Sequence, residues 1–258
     1  MGERLALVRR TPEAVLDWHP RLGAGRQGLA AAYPRAAAFE RHTDGTVHAA
    51  APGRSWWRRL PGRDRPPGPF GLLWSNMGLH FEPDPPATFS GWHAALADGG
   101  FLMFSTLGPG SLEALAAAHR RAGFGPAFAP FVDMHDLGDM LVRAGFADPV
   151  MDQETLTLSW PDARAMLAEL RTLGGNADVG RHAGLRTPRW RERLLRGLDE
   201  LRPGPAERPR LVFEVVYGHA FKVARRVSAS TSQVPLQTLR DELRSRRERP
   251  PPGSSDAE

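Results

Sequence analysis

The stretch GLLWSNMGLHFEPDPPATFSGWHAALADGGFLMFSTLGPGS, residues 71–111, constrains the fold more than any other part of the chain. Gly71 to Ser75 is an apolar run too short for a buried helix, bounded by Gly and by Ser-Asn. Pro85-Pro86 suits a first helical turn, where the N–H that proline lacks would have no partner anyway. Phe89, Trp92, His93 and Leu96 fall at i, i+3, i+4 and i+7, which predicts a helix with one apolar face. Asp98-Gly99-Gly100 is the expected stop, because glycine reaches the left-handed conformation freely. Phe101 to Ser105 is a second continuous apolar run. Two strands apolar on both faces and joined by a covering helix make a βαβ unit of a parallel sheet. In such sheets ligands sit beyond the carboxyl ends of the strands. Those ends are Ser75-Asn76-Met77-Gly78 and Ser105-Thr106-Leu107-Gly108-Pro109-Gly110. Their small polar residues mark a candidate site, against the plainer reading of two ordinary turns.

Upstream, Ala14 to Trp18 reads as a first strand ending in an acid, followed by the turn His19-Pro20-Arg21-Leu22-Gly23-Ala24-Gly25. A helix through Leu29 to Tyr33 and a strand Ala36 to Glu40 come next. Strand, glycine turn, helix and a strand ending in an acid about 20 residues on is the layout of a ribose-binding Rossmann half. An acid there accepts hydrogen bonds from ribose hydroxyls, and glycines let a ligand approach the backbone. Gly23-x-Gly25 is only part of such a fingerprint. Asp17 reads alternatively as a turn acid, and Glu40 as a solvated loop acid. Thr46 to Ala50 is a candidate third strand, and Trp56-Trp57 with the following Pro-, Gly- and Arg-rich run reads as a surface loop.

The chain has 258 residues, enough for one large α/β domain with appendages or two small ones. It has no cysteine, which excludes disulfides, a thiol nucleophile and thiolate metal sites and suits an intracellular compartment. No signal peptide opens the chain, and no run approaches the roughly 20 apolar residues of a membrane span. The net charge is +5, carried almost wholly by arginine. The arginines are spread along the chain, so a nucleic-acid partner is the weaker expectation and an anionic small substrate or carrier protein the better one.

Downstream, Ser111 is placed to cap a helix through Leu112, Leu115 and His119. Asp133, His135, Asp136 and Asp139 could suggest metal ligands, but no second cluster completes a site, and Asp133 and Asp136 suit capping and the dipole of the next helix. Asp152 to Trp160 alternates, as an antiparallel or edge strand does. Pro161 and Thr187-Pro188 open two further helices, and Arg210 to Tyr217 is a strong β run continuing to Lys222. From Arg225 the chain turns polar: Pro235 to Arg246 suits a short amphipathic helix, and Arg247 to Glu258 is disordered by composition.

Several segments together resemble a known family. They are LLWSNMGLH at Leu72 to His80, GGFLMFSTLGPGSL at Gly99 to Leu112, TLTLSWPDARAMLAELRTLGGNA at Thr155 to Ala177, GLRTPR at Gly184 to Arg189, and LVFEVVYGHAFK at Leu211 to Lys222. The stretch from Phe70 resembles class I S-adenosylmethionine-dependent methyltransferases, and within them the malonyl-carrier-protein carboxyl methyltransferases of biotin synthesis. The resemblance implies a Rossmann-like, seven-stranded mixed sheet with helices on both faces, its last strand antiparallel. It implies a methyltransferase domain over 1–225, with a helical insertion at about 161–205, and a polar tail over 226–258. The implied methyl donor is S-adenosyl-L-methionine, held by Asp17, Gly23, Gly25, Glu40, Ser75, Asn76 and Met77. The family's first loop is an acid followed closely by Gly-x-Gly-x-Gly, whereas here it is longer and poorer in glycine. That departure keeps open a second reading, the same fold serving as an accessory or binding module.

Methyl transfer to a carboxylate needs no general base, since the acceptor is already ionised at neutral pH. The enzyme holds donor and acceptor in line. No catalytic acid, base or metal is therefore assigned. An arginine is the natural clamp for a malonyl carboxylate. Arg181 is the first candidate and Arg186 the second, with His182 and Tyr217 as wall residues of the acceptor pocket. The implied partner is an acidic acyl-carrier protein in the cytoplasm, which would suit a basic surface.

Overall fold

In the computed structural model the described residues are 1–22, 25–50, 69–204 and 206–223. Gly23, Trp56-Trp57 and the C-terminal tail, for which sequence expectations were given, lie outside them. Seven strands form one sheet: β1 (Ala14–Asp17), β2 (Ala37–Arg41), β3 (Val47–Ala49), β4 (Phe70–Asn76), β5 (Leu96–Leu107), β6 (Phe146–Ser159) and β7 (Arg210–Lys222). Their order across the sheet is β3-β2-β1-β4-β5-β7-β6. The helices are α1 (Gly25–Ala32), α2 (Pro85–Ala95), α3 (Glu113–Ala122), α4 (Met134–Arg143), α5 (Ala163–Leu170) and α6 (Pro188–Asp199).

The βαβ unit expected around residues 71–111 is present, with β4 and β5 parallel. Leu72 and Leu73 point to opposite faces of β4, and both are fully buried. Leu73 packs with Phe89, Trp92 and Phe104 beneath α2 and α4. Leu72 packs with Leu5, Val15 and Trp74 on the other face, against the N-terminal segment and α1. Burial on both faces is what continuous apolar runs require.

Three local expectations need correction. Helix α2 ends at Ala95, before Asp98-Gly99-Gly100, because Leu96 leaves the helix to pair with Phe70. The glycines lie instead in an irregular start of β5: Gly99 takes φ +76°, and a Cβ on Gly100 would meet Ala97 O at 2.9 Å and Phe70 O at 3.0 Å. Ser111 does not cap α3; its hydroxyl donates to Glu214 O and accepts from Glu214 N, each at 2.9 Å. Helix α5 is capped by Asp162, which accepts from Ala165 N at 2.8 Å, so Pro161 lies outside it. The mixed sheet has a second reversed strand besides β7. β3 pairs antiparallel with β2, because a connection as short as His42–Thr46 cannot make a parallel crossover.

Strand β7 runs antiparallel between β5 and β6, as expected for the last strand. A third apolar cluster caps this end of the sheet. Leu107, Phe124, Trp160, Met166, Leu194, Leu198 and Phe213 draw α3, α5 and α6 over the ends of β5 to β7.

Candidate functional site

Strands β1, β2 and β4 are parallel and end at one edge, with Asp17 aligned with Glu40 on one side and Trp74 on the other. Asp17 is 8% exposed, and its Oδ1 accepts a hydrogen bond from His19 N at 3.2 Å. Burial pushes its carboxyl up to about 7; the His19 N–H opposes this, and the Glu40 charge adds to it. Glu40 is ion-paired with Arg26 of α1. Gly25 starts α1 directly against Trp74, where any Cβ would overlap the indole nitrogen. That buried Nε1–H has no hydrogen-bond partner among the described residues.

At the exit of β4, the buried Ser75 Oγ lies 2.8 Å from His19 Nδ1. On the other side of the ring, His19 Nε2–H donates to Glu82 Oε1 at 2.9 Å. That bond holds the Glu82 carboxyl below its ordinary range, against its partial burial. Asn76 Oδ1 accepts from Ser105 Oγ at 2.7 Å. Met77 takes the left-handed region at φ +56°, and its N–H reaches Ser105 O at 3.0 Å and Ser105 Oγ at 3.1 Å. The chain is thus forced to turn sharply where β4 ends.

Beside Met77 opens a cavity of ≈ 1130 Å³. Arg21, Leu22, His80 and Phe81 line it on the strand-exit side. Leu156 and Leu158 of β6 and Phe213 and Val215 of β7 line it along the sheet, and α3, α5 and α6 contribute Leu115, Leu167, Leu170, Trp190 and Leu194. Its walls are mostly apolar with a few polar groups, the usual character of a small-molecule site. Burial, with the nearby His19, lowers the imidazole of His80 to about 4, so His80 is neutral at physiological pH.

The structure brings Asp17, Gly25, Glu40, Ser75, Asn76 and Met77 to one edge. Of the acceptor candidates, Arg186 lines the cavity; its guanidinium donates to Phe124 O at 3.0 Å and stacks 4.9 Å from the Trp190 ring. Arg181 and His182 are exposed and do not belong to the lining, and the Arg181 guanidinium donates to Asp178 O at 3.3 Å. Tyr217 lies elsewhere on β7. It donates to Glu154 and carries Arg4 over its ring at 4.1 Å, and burial with the Glu154 bond pushes its hydroxyl up to about 12. Sequence reasoning missed His19, Trp74, Glu82 and the leucine-rich lining. His19 carried one signal, its odd place in a loop expected to be glycine-rich. Glu82 carried none, since only the turn Leu79–Phe81 brings it under the first loop.

No protein-family model matches the chain. A malonyl-[acyl-carrier protein] O-methyltransferase of Gallionella capsiferriformans is 38% identical over 246 residues, covering 88% of this chain and 83% of that protein. Enzymes with the same name from Nitrosospira multiformis and Laribacter hongkongensis are 34% and 35% identical, over 90% and 88% of this chain and 83% and 81% of theirs. The chain belongs to the malonyl-[acyl-carrier protein] O-methyltransferase family. Two solved structures share the fold. One is a candidate methyltransferase of Bacillus halodurans, with TM-score 0.51 and 14% identity over 86% of this chain and 99% of that one. The other is the YcgJ protein of Bacillus subtilis, with TM-score 0.55 and 10% identity over 86% of this chain and 97% of that one. The strand order and the antiparallel β7 are thus those of a class I methyltransferase fold.

Proposed function

We propose that the protein transfers the methyl group of S-adenosyl-L-methionine to the free carboxylate of a malonyl thioester on an acyl-carrier protein, as a cytoplasmic step of biotin synthesis. The observation that carries this reading is the junction at Met77. There the acidic edge formed by Asp17 and Glu40 meets a large apolar cavity. The donor set fits an adenosyl sulfonium. Two carboxylates suit a cation and a ribose diol, Gly25 lets α1 start directly against Trp74, and the orphaned Trp74 Nε1–H beneath it is an unused donor. When bound, the donor supplies an electrophilic methyl on positively charged sulfur.

The chain's own residues bind and orient. Glu40 would accept hydrogen bonds from the ribose hydroxyls once Arg26 gives way; this ion pair is a surface one, so its loss costs little. Asp17 would be held ionised by a cationic ligand, against the burial that raises it. Arg186 would clamp the acceptor carboxylate, because Phe124 O and Trp190 already fix its planar fork at the cavity wall. Apolar walls keep water from the reacting pair. The carrier would dock on exposed arginines of the segment 171–193, which supplies one wall of the cavity. Arg171, Arg181, Arg186, Arg189, Arg191 and Arg193 are exposed, and none has an acidic partner among the described residues. Such a field steers an acidic partner and weakens with salt.

The test is calorimetric titration of the protein with S-adenosylhomocysteine, followed by methyl transfer to malonyl-loaded carrier protein. Micromolar binding and methyl-ester formation are the expected results, with R186A lowering methyl-ester formation and leaving S-adenosylhomocysteine binding unchanged. A folded protein that binds no donor product would overturn the reading in favour of an accessory module.

A further inference from the structure

The described part of the first loop after Trp18, His19 to Leu22, makes few hydrogen bonds. Its backbone ladder ends where Trp18 N donates to Trp74 O at 2.8 Å. Beyond that, the bonds of its described part are Leu22 N to His19 O at 2.9 Å, His19 N to Asp17, and the two bonds of the His19 ring. Trp18 is anchored by its ring against Trp92 and Arg41; after it, among the described residues His19 to Leu22, only the His19 ring bonds reach another element. They reach in opposite directions, to Ser75 at the exit of β4 and to Glu82 just after the turn Leu79–Phe81. Gly78 gives the ring its room, since a Cβ there would overlap the imidazole. On one side of His19 lies the buried Asp17, and on the other are Arg21 and Leu22, which wall the cavity.

Resting on the methyltransferase reading above, we infer that His19 is a positioning residue: it straps the glycine-poor first loop across the exit of β4 and so holds the donor-binding edge and the cavity wall in register. Glycine loops achieve close approach by having no side chain. This loop instead uses a side chain as the fastening, and Gly78 supplies the matching space on the opposite strand's exit. A residue fixed from both ring nitrogens has one orientation, so the loop backbone between Asp17 and Leu22 is ordered before any ligand arrives.

The experiment compares the wild-type protein with H19A, H19Q, E82Q and G78A. Amide hydrogen exchange is followed without ligand, and S-adenosylhomocysteine binding is followed by calorimetry. In H19A, exchange in peptides covering residues 17–22 should rise about tenfold while peptides in β4 and β5 stay unchanged, and affinity should fall about tenfold. H19Q, whose amide reaches toward Glu82, should recover part of both. G78A, which leaves His19 in place but fills its seat, should reproduce both changes. The double variant H19A/E82Q should be no worse than H19A. Unchanged exchange in a folded H19A protein would overturn the inference, as would faster exchange spread evenly over the sheet. If H19A does not fold, G78A and E82Q decide in its place. Absence of binding by the wild-type protein would sink the methyltransferase reading alone, because the exchange arm reads the strap without the donor.

Discussion

The middle and the flank of the sheet are held together differently. Strands β4, β5 and β7 are long and apolar, and Phe101, Leu102, Phe104, Val216 and Ala220 are almost wholly buried. Strands β1 to β3 are short, and their ends are fastened by polar contacts. Trp18 sits under Arg41 at 4.3 Å, Glu40 pairs with Arg26, and His19 bridges to Ser75 and Glu82. The middle follows packing rules that tolerate little change. The flank depends on a few bonds, and most of the candidate donor-binding groups belong to it or to the strand exit beside it.

The largest test of the comparison is W92A. Trp92 is fully buried against Phe89, Phe104 and Trp18, so its loss should cost about 3–5 kcal/mol in denaturant unfolding. An equal loss from the charge-reversed Arg26 and Glu40 pair would erase the distinction between the two regions.

Asp17 gives the next effect, and its sign is opposite. Its folded carboxyl ionises near 7 and its unfolded one near 3.8, so the folded state binds the extra proton between those values. Wild-type stability should therefore fall as pH rises from about 4 to 7. D17N should be the more stable protein at pH 8, by up to about 4 kcal/mol, and should lose that advantage below pH 4. Donor affinity should behave conversely, rising with pH up to about 7 in the wild type and staying flat in D17N. Unfolding curves and calorimetry across that range check both.

Smaller effects sharpen the picture. S111A removes two bonds to the Glu214 backbone and should cost about 1–3 kcal/mol, which links the turn after β5 to the middle of the sheet. D162A should cost about 1 kcal/mol by uncapping α5, with a modest rise in acceptor KM because α5 walls the cavity. R191E should raise the carrier KM several-fold at low salt, and the difference should shrink as salt is added, with unfolding unchanged.

Much of this was legible in the chain because it is local. The apolar runs of β4, β5 and β7, the Thr187 cap of α6 and the Asp133 cap of α4 follow from period and from side chains that reach their own helix. What escaped was set by distant partners. Leu96 reads as the last residue of a helix face until Phe70 claims it for the sheet. Ser111 reads as a cap until Glu214, a hundred residues away, takes its hydroxyl. Asp17 and Glu40 could be proposed from spacing, whereas the His19 strap needed Glu82 and Gly78 to meet it. The cavity was invisible, since its walls are leucines and phenylalanines that resemble any core. Arg186 at that wall and Tyr217 away from it could not be told apart by sequence.

The position of β7 also bears on how the protein is made. It lies between β5 and β6, yet it follows both in the chain. During synthesis β6 emerges with no neighbour to pair with, and β5 keeps one open edge, until Arg210–Lys222 has left the ribosome. Over that interval the sheet presents two unpaired edges, the condition that favours association with other nascent chains. Closing the sheet is a late, long-range event, and because β7 supplies Phe213 and Val215, the cavity has no complete wall until that strand docks.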